Sequence, residues 1–506
     1  LDPLARARFV NGAIVWFIPL AILAISGIVA FYGVIADRAA PLIAGILIGI
    51  VGLIGFSIHR DWQTHLSYAA TVEETSDPVP DFDDRAPHQV AARQATSSLS
   101  GINGTPARTA YLPGDDLYTT LVEKPGLMNP GYTALVSQDI ALTGQAKGST
   151  CRFSDRANDR IGGFFGYSLQ REIAGIDSRL IVSPGDAYGY CDGDTPMVAV
   201  PVTKLHGWIV PIHKPAGVAL YNGKTGETEL LEGKDTAKLP GGAIGLRYSE
   251  RVNESMKTWG GTWWSTIMKQ TGLTDQPKDE DDPNALNATN FALRAGYYTA
   301  FASPLTSAAS SVTVDAVLVM DSSIAEAGKA PVATMHRLAT PRSSNAATAD
   351  RVKAEFSDLA WSSGIFIQEI VPAADGEWAA SIGLNQNITH RVLIKDDGSS
   401  CLQDARGNVV RCSDDAPAQQ GSSGSPEGAA PVAVPDDISK LSDAELQKLL
   451  ETVTAEVFNR LGKTPAEYPD QKRPGYAPGR FCVPGLQQVP ASCRNQTSTG
   501  SGKTLK

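Results

Sequence analysis

The stretch "AIVWFIPLAILAISGIVAFYGVIA", Ala13 to Ala36, carries no charged side chain. Rising ~1.5 Å per residue as a helix, it exceeds the ~20 residues that cross the hydrocarbon of a bilayer. After Asp37, Arg38 and Ala39 comes "APLIAGILIGIVGLIGFSI", Ala40 to Ile58, again uncharged and at the short end of the spanning range. The two runs predict a transmembrane helical hairpin, which returns the remainder of the chain to the side of the amino end. A cleaved signal peptide with Arg6 and Arg8 as its basic part competes with this reading, but the first run is too long for one and a second run follows it.

Small residues recur in the second run at Gly45, Gly49, Gly52 and Gly55. Gly45 and Gly49 form one G-x-x-x-G, which in lipid lets two helix backbones approach closely. Packing of the hairpin on itself is one use of that stripe and an oligomer contact is the other.

Two signals disagree about sidedness. Arg6 and Arg8 before the hairpin and His59 and Arg60 after it would, by the positive-inside rule, leave both ends in the cytoplasm. All six cysteines lie beyond the hairpin and argue the reverse. In "CLQDARGNVVRC" a turn around Arg406-Gly407-Asn408 would set Cys401 against Cys412 across a β-hairpin. "CVPGLQQVPASC" holds two prolines and no helical pattern, so Cys482 and Cys493 read as a second staple, with Cys151 and Cys191 left as the third pair. Free thiols are the alternative; zinc is disfavoured because no C-x2-4-C knuckle occurs. Three disulfides imply an oxidising space, which places the bulk of the chain outside the cytoplasm.

The chain has 506 residues, 42% of them hydrophobic, enough to bury a large core. Its formal net charge of -10, without a cluster of Lys and Arg, argues against nucleic acid as a partner. Few lysines beside abundant Ala, Gly and Asp are what a high-GC, actinobacterial-like genome would encode.

Composition divides the chain into six parts. Residues 1–60 hold the hairpin, and 61–110, acidic and proline-broken in "EETSDPVPDFDDRAP", read as a linker or wrapping arm. A first α+β domain is expected over 111–274. It contains a helix in "FGYSLQREIAG", buried strands in "RLIVSP" and "PMVAVPVTKL", a further strand in "GWIVPI", a turn at Asn222-Gly223, and a helix broken at Gly260-Gly261. A second α+β domain is expected over 275–412, with a strand in "SVTVDAVLVMDSS" and a helix in "AATADRVKAEFSDLAW". A Pro/Gly/Ser/Ala-rich linker spans 413–437, and 438–506 carry a tethered helix and a stapled tail. Ser442 and Glu445 form a capping box for that helix, Leu446, Leu449, Leu450, Val453, Val457 and Leu461 line one face, and Gly462 ends it. A stripe this apolar requires a partner, either on the same body or on another subunit.

Chemistry is sparse. "TSTGSGKTLK", 497–506, matches a phosphate-binding loop except for its first glycine, but "ASCRNQ" upstream is no strand and only two residues follow Thr504, so a polar tail is expected. His206 and His213, if on one strand, would point to opposite faces and make poor joint ligands. Asp186, Asp192 and Asp194 in "GDAYGYCDGDTP" form the most ligand-like acidic cluster, and Trp259, Trp263 and Trp264 could stack on a sugar. A turn and a core, respectively, explain both sets, and no catalytic, cofactor or metal site is assigned.

The sequence therefore predicts an α+β protein: a transmembrane hairpin, a large disulfide-bearing extracytoplasmic region and a tethered carboxy-terminal helix. The expected role is a membrane-anchored accessory or structural subunit of a bacterial envelope assembly. Its expected partners are the lipid bilayer and other membrane or envelope subunits, and it is expected to be oligomeric. An envelope enzyme acting on glycan or lipid, and a cytoplasm-facing part of a secretion machine, are the alternatives.

Overall fold

A computed structural model describes residues 2–413 apart from 83–85, 98–101, 126–130, 140–147, 277–290, 296–297, 362–363, 374–375, 385–386 and 396. The two apolar runs lie in helices α1 (Pro3–Ile35) and α2 (Ala39–Ala69), both long and apolar enough to cross a membrane. Asp2 starts α1, its carboxylate accepting the Leu4 N–H at 3.1 Å, and Pro3 fits the first turn, where its missing N–H costs nothing. Their large side chains, from Leu20 and Leu23 to Ile50 and Ile54, are mostly exposed, as a lipid-facing hairpin requires.

Immediately after α2, strand β1 (Val72–Thr75) pairs in parallel with a strand some 260 residues later, Val72 facing Ala333. The stretch read as a linker from residue 61 thus begins with the end of a helix and a sheet strand, followed by α3 (His88–Ser97). Strands β2 (Thr105–Leu112), β3 (Leu117–Glu123), β4 (Tyr132–Asp139) and β5 (Gly148–Arg152) form an antiparallel meander, the first sheet. Helix α4 (Leu169–Ile176) precedes the second sheet, made of β6 (Ile181–Val182), β7 (Tyr188–Asp192), β8 (Thr195–His206), β9 (Ile212–Asn222) and β10 (Thr228–Leu231), in which β6 and β7 share one edge of β8. Helices α5 (Leu246–Ser255) and α6 (Trp263–Ile267) follow, separated at Gly260-Gly261.

The third sheet has the order β1-β15-β14-β13-β11, from β11 (Leu273–Asp275), β13 (Tyr298–Ser307), β14 (Ser310–Asp321) and β15 (Ala333–Ser343), with β12 (Phe291–Ala295) also on β13. Helix α7 (Asn345–Glu355) leads into a five-stranded meander, the fourth sheet: β16 (Phe366–Pro372), β17 (Trp378–Leu384), β18 (Asn387–Ile394), β19 (Ser400–Asp404) and β20 (Val409–Cys412).

Alternation along single strands explains how the four sheets share their cores. On β8, Met197 and Ala199 enter one cluster with α5 and the third sheet, while Val198, Val200 and Val202 enter another with the first sheet. On β14, Ala316, Leu318 and Met320 face the former cluster, and Val317 and Val319 face α7 and the fourth sheet. Strands covered on both faces read as unbroken apolar runs rather than as alternations. Residues on both sides of the expected boundary at 274/275, from Tyr68 to Met335, contribute to one core.

"GWIVPI" is not a strand along most of its length. Gly207 to Pro211 make the loop between β8 and β9, with Gly207 at φ +91°, a conformation that favours glycine. His206 and His213 consequently sit on neighbouring strands, His213 opposite Leu205 and His206 opposite Ile212, instead of on one strand as expected.

Two expected disulfides are present. Cys151 on β5 bonds Cys191 on β7 with Cα atoms 6.2 Å apart, tying the first sheet to the second. Cys401 and Cys412 face each other in the β19–β20 ladder and are bonded. The third expected pair, Cys482 and Cys493, lies outside the described residues, as do the tethered helix with Leu446, Leu449, Leu450, Val453 and Val457 and the tail at 497–506.

Candidate functional site at the membrane junction

The glycine stripe of α2 is used against α1. A Cβ on Gly45 would stand 2.6 Å from the Ala30 nitrogen and 2.8 Å from its Cα, and one on Gly49 2.6 Å from Ser26 Oγ. Ser26 in turn donates its hydroxyl to the Gly45 carbonyl at 2.6 Å, satisfying a polar group that lipid could not. Gly52 meets Ile22 in the same way, whereas Gly55 has open space beside it.

This seam fixes the level of every residue in the hairpin. Gly45 faces Ala30, Gly49 Ser26, Gly52 Ile22, and Arg60 donates to the Val15 carbonyl at 2.9 Å. The same spacing puts Phe17 opposite Ile58, the last residue of the uncharged run. Phe17 to Ala36 and Ala39 to Ile58 are therefore matched lengths of roughly 30 Å at ~1.5 Å per residue, the thickness of a hydrocarbon core. Exposed Trp16 and Phe17 mark one end and exposed Phe31 and Tyr32 the other, as aromatic belts do. Ala13 to Trp16, read from sequence as part of the span, stand opposite the charged turn of α2 that follows Ile58.

Beyond that level both helices continue into the body. On α1, Asp2 pairs with Arg171 of α4 at 3.3 Å. On α2, Tyr68 is buried among the core residues shared by the second and third sheets, edge-to-face with Tyr248 of α5 at 5.7 Å. Its hydroxyl oxygen accepts the His213 N–H at 2.8 Å. His213, whose Nδ1 lies 3.1 Å from Thr203 Oγ1, is pushed down to about 4, chiefly by burial and then by Arg251, and stays neutral. Ser57, Arg60, Asp61, His65, Pro211 and Glu254 surround a polar cavity of about 510 Å³ at this junction. Sequence reasoning missed Tyr68 and weighed His213 only as a metal ligand; their contact comes from α2 continuing beyond its apolar run to Ala69.

A second cavity, about 530 Å³, opens between α3, β2, the loop before β7 and the start of α5. Asp186 lines it, and its carboxylate accepts the Arg247 N–H at 3.0 Å, capping α5. Gly245 is required there, since a Cβ would overlap the Asp186 carboxyl. Burial, with help from Glu250, pushes Asp186 up to about 6. Asp192 and Asp194 do not join it: both are exposed at the β7–β8 turn. Trp259 packs against the shared core beside another cavity, and Trp263 and Trp264 contact each other at 4.9 Å on α6. The acids and tryptophans singled out by sequence thus do not line a common cleft. Among the described residues no group of three or more His, Cys, Asp or Glu could hold a metal ion.

Comparison with protein-family models, with curated proteins and with solved structures gave no match.

Proposed function

We propose that the chain is a membrane-anchored accessory or structural subunit of a cell-envelope assembly, with its sheets on the non-cytoplasmic side. The observation that carries this reading is the continuity of α2, which passes from the lipid-matched segment into the shared core at Tyr68 without a break. A body joined this way is held at a set height and orientation, a property useful to a scaffold and unnecessary for an enzyme on a flexible tether. The two disulfides support the oxidising side. The helix expected from sequence within 438–506, beyond the Pro/Gly/Ser/Ala-rich stretch 413–437, would offer a docking element to a neighbouring subunit. In mild detergent the full chain extracted from its native membrane should run as a higher-order complex that deletion of residues 438–506 disrupts. A monomer indifferent to that deletion would refute the assembly role.

Arg6, Arg8 and Arg60 favour one second reading, a cytoplasm-facing component of a secretion machine. Peptide mapping without reductant separates the two: native Cys151–Cys191 and Cys401–Cys412 bridges exclude the cytoplasmic orientation, and free thiols support it.

A further inference from the structure

The loop of the β8–β9 hairpin reaches α1. At its loop end β9 is held where His213 meets Tyr68, level with about Ala7 of α1 by the pairing along the hairpin. Five residues back, in the loop, the Trp208 ring lies 6.0 Å from Phe17, edge-to-face. The two contacts stand ten residues apart along α1, about 15 Å at ~1.5 Å each, a distance shared between the loop backbone and the Tyr68 and Trp208 side chains. Phe17 begins the lipid-matched length, so the loop ends at the boundary between water and hydrocarbon.

The loop is built for that boundary. Trp208 is 64% and Ile209 59% exposed, side chains that would seek a core if they faced water. Tryptophan is the residue that concentrates at membrane interfaces, its ring apolar and its N–H free to bond headgroups.

We propose that Trp208 and Ile209 insert into the lipid interface on the amino-terminal side of the hairpin. This rests on the membrane-anchored reading and extends it from the helices to the body. The test is nitroxide scanning of the full chain in nanodiscs containing anionic lipid, with single added cysteines at Ile209, at Leu23 in the span and at exposed Val312 on β14; the chain without an added cysteine gives the background. Each label reports the ratio of its collisions with oxygen, which enters lipid, to those with a water-soluble nickel chelate. Leu23 should give the highest ratio, and Ile209 a ratio several-fold above Val312 that Trp208→Ser lowers without altering Leu23. A deep Leu23 with an Ile209 matching Val312 overturns the loop insertion alone. Leu23 and Ile209 both reading as aqueous overturns the anchoring itself.

Discussion

Removing each disulfide in turn should destabilise the body unequally. The Cys151–Cys191 bond spans 40 residues of sequence and the Cys401–Cys412 bond 11. In the chain-entropy account, closing loops of these lengths in the unfolded state is worth about 4 and about 3 kcal/mol. Their surroundings widen the gap. Cys401 and Cys412 join strands already paired in a ladder, whereas Cys151 is buried in the core between the first and second sheets and is their covalent tie. At β7 that interface is tight: a Cβ on Gly189 would run into Leu121 and Leu135 of the first sheet. With an unfolding entropy of ~2.1 cal/mol/K per residue, a cooperative body of about 400 residues should lose about 5 °C in C151A/C191A and about 3 °C in C401A/C412A. Thermal unfolding of the full chain in micelles, with and without reductant, measures both. Alkylation must follow denaturation, since Cys151 and Cys401 are buried. An unchanged melting temperature on reduction, or a larger loss in C401A/C412A, would refute the assignment of the 151–191 bond as the tie between sheets.

Three further outcomes are expected. Gly45→Leu, which drives a side chain into the Ala30 backbone and displaces the Ser26 hydrogen bond, should cost about 1–3 kcal/mol in micelles; Gly55→Leu should cost nothing measurable, and equal losses would show that the seam is not where the helices meet. Asp186 has a folded value of about 6 against 3.8, so its contribution is full below about pH 4 and is lost as pH rises through 6. Asp186→Asn keeps the cap and should therefore gain up to about 3 kcal/mol at pH 7.5 and nothing at pH 4, read as urea midpoints. Tyr68→Phe removes the acceptor of the His213 N–H and should cost about 1–2 kcal/mol, with faster hydrogen exchange confined to the start of β9.

Charge-free length made the hairpin legible from sequence, because solvation by lipid is a local property of each segment. The Cys401–Cys412 bridge was legible for the same reason: a turn and two cysteines at matching offsets fix their own register. What failed depended on partners distant in sequence. β1 looks like the start of a polar linker because its ladder is supplied by β15, and no periodicity within Val72–Thr75 reveals that. The loop at Gly207 to Pro211 was read as a strand because apolar residues in water imply burial, and here they remain exposed. Asp186, Asp192 and Asp194 lie within nine positions of each other, but β7 separates them by its full length, leaving one at a helix cap and two at a turn.

The hairpin seam also sets the position of the body. Sliding α1 by one residue against α2 would set a larger side chain against Gly45 and take Ser26 away from its carbonyl, so the glycines admit one register. That register puts Arg60 at Val15 and Phe17 at Ile58, which defines where hydrocarbon ends on both helices. The proline of α2, Pro41, lies in its first turn, and its last glycine is Gly55, so no hinge residue intervenes between Gly55 and Tyr68, which enters the core. Tyr68 holds His213 at the loop end of β9, and the loop before it carries Trp208 to Phe17. Each step leaves the next little freedom, so the height of four sheets above the bilayer follows from the spacing of small residues within it.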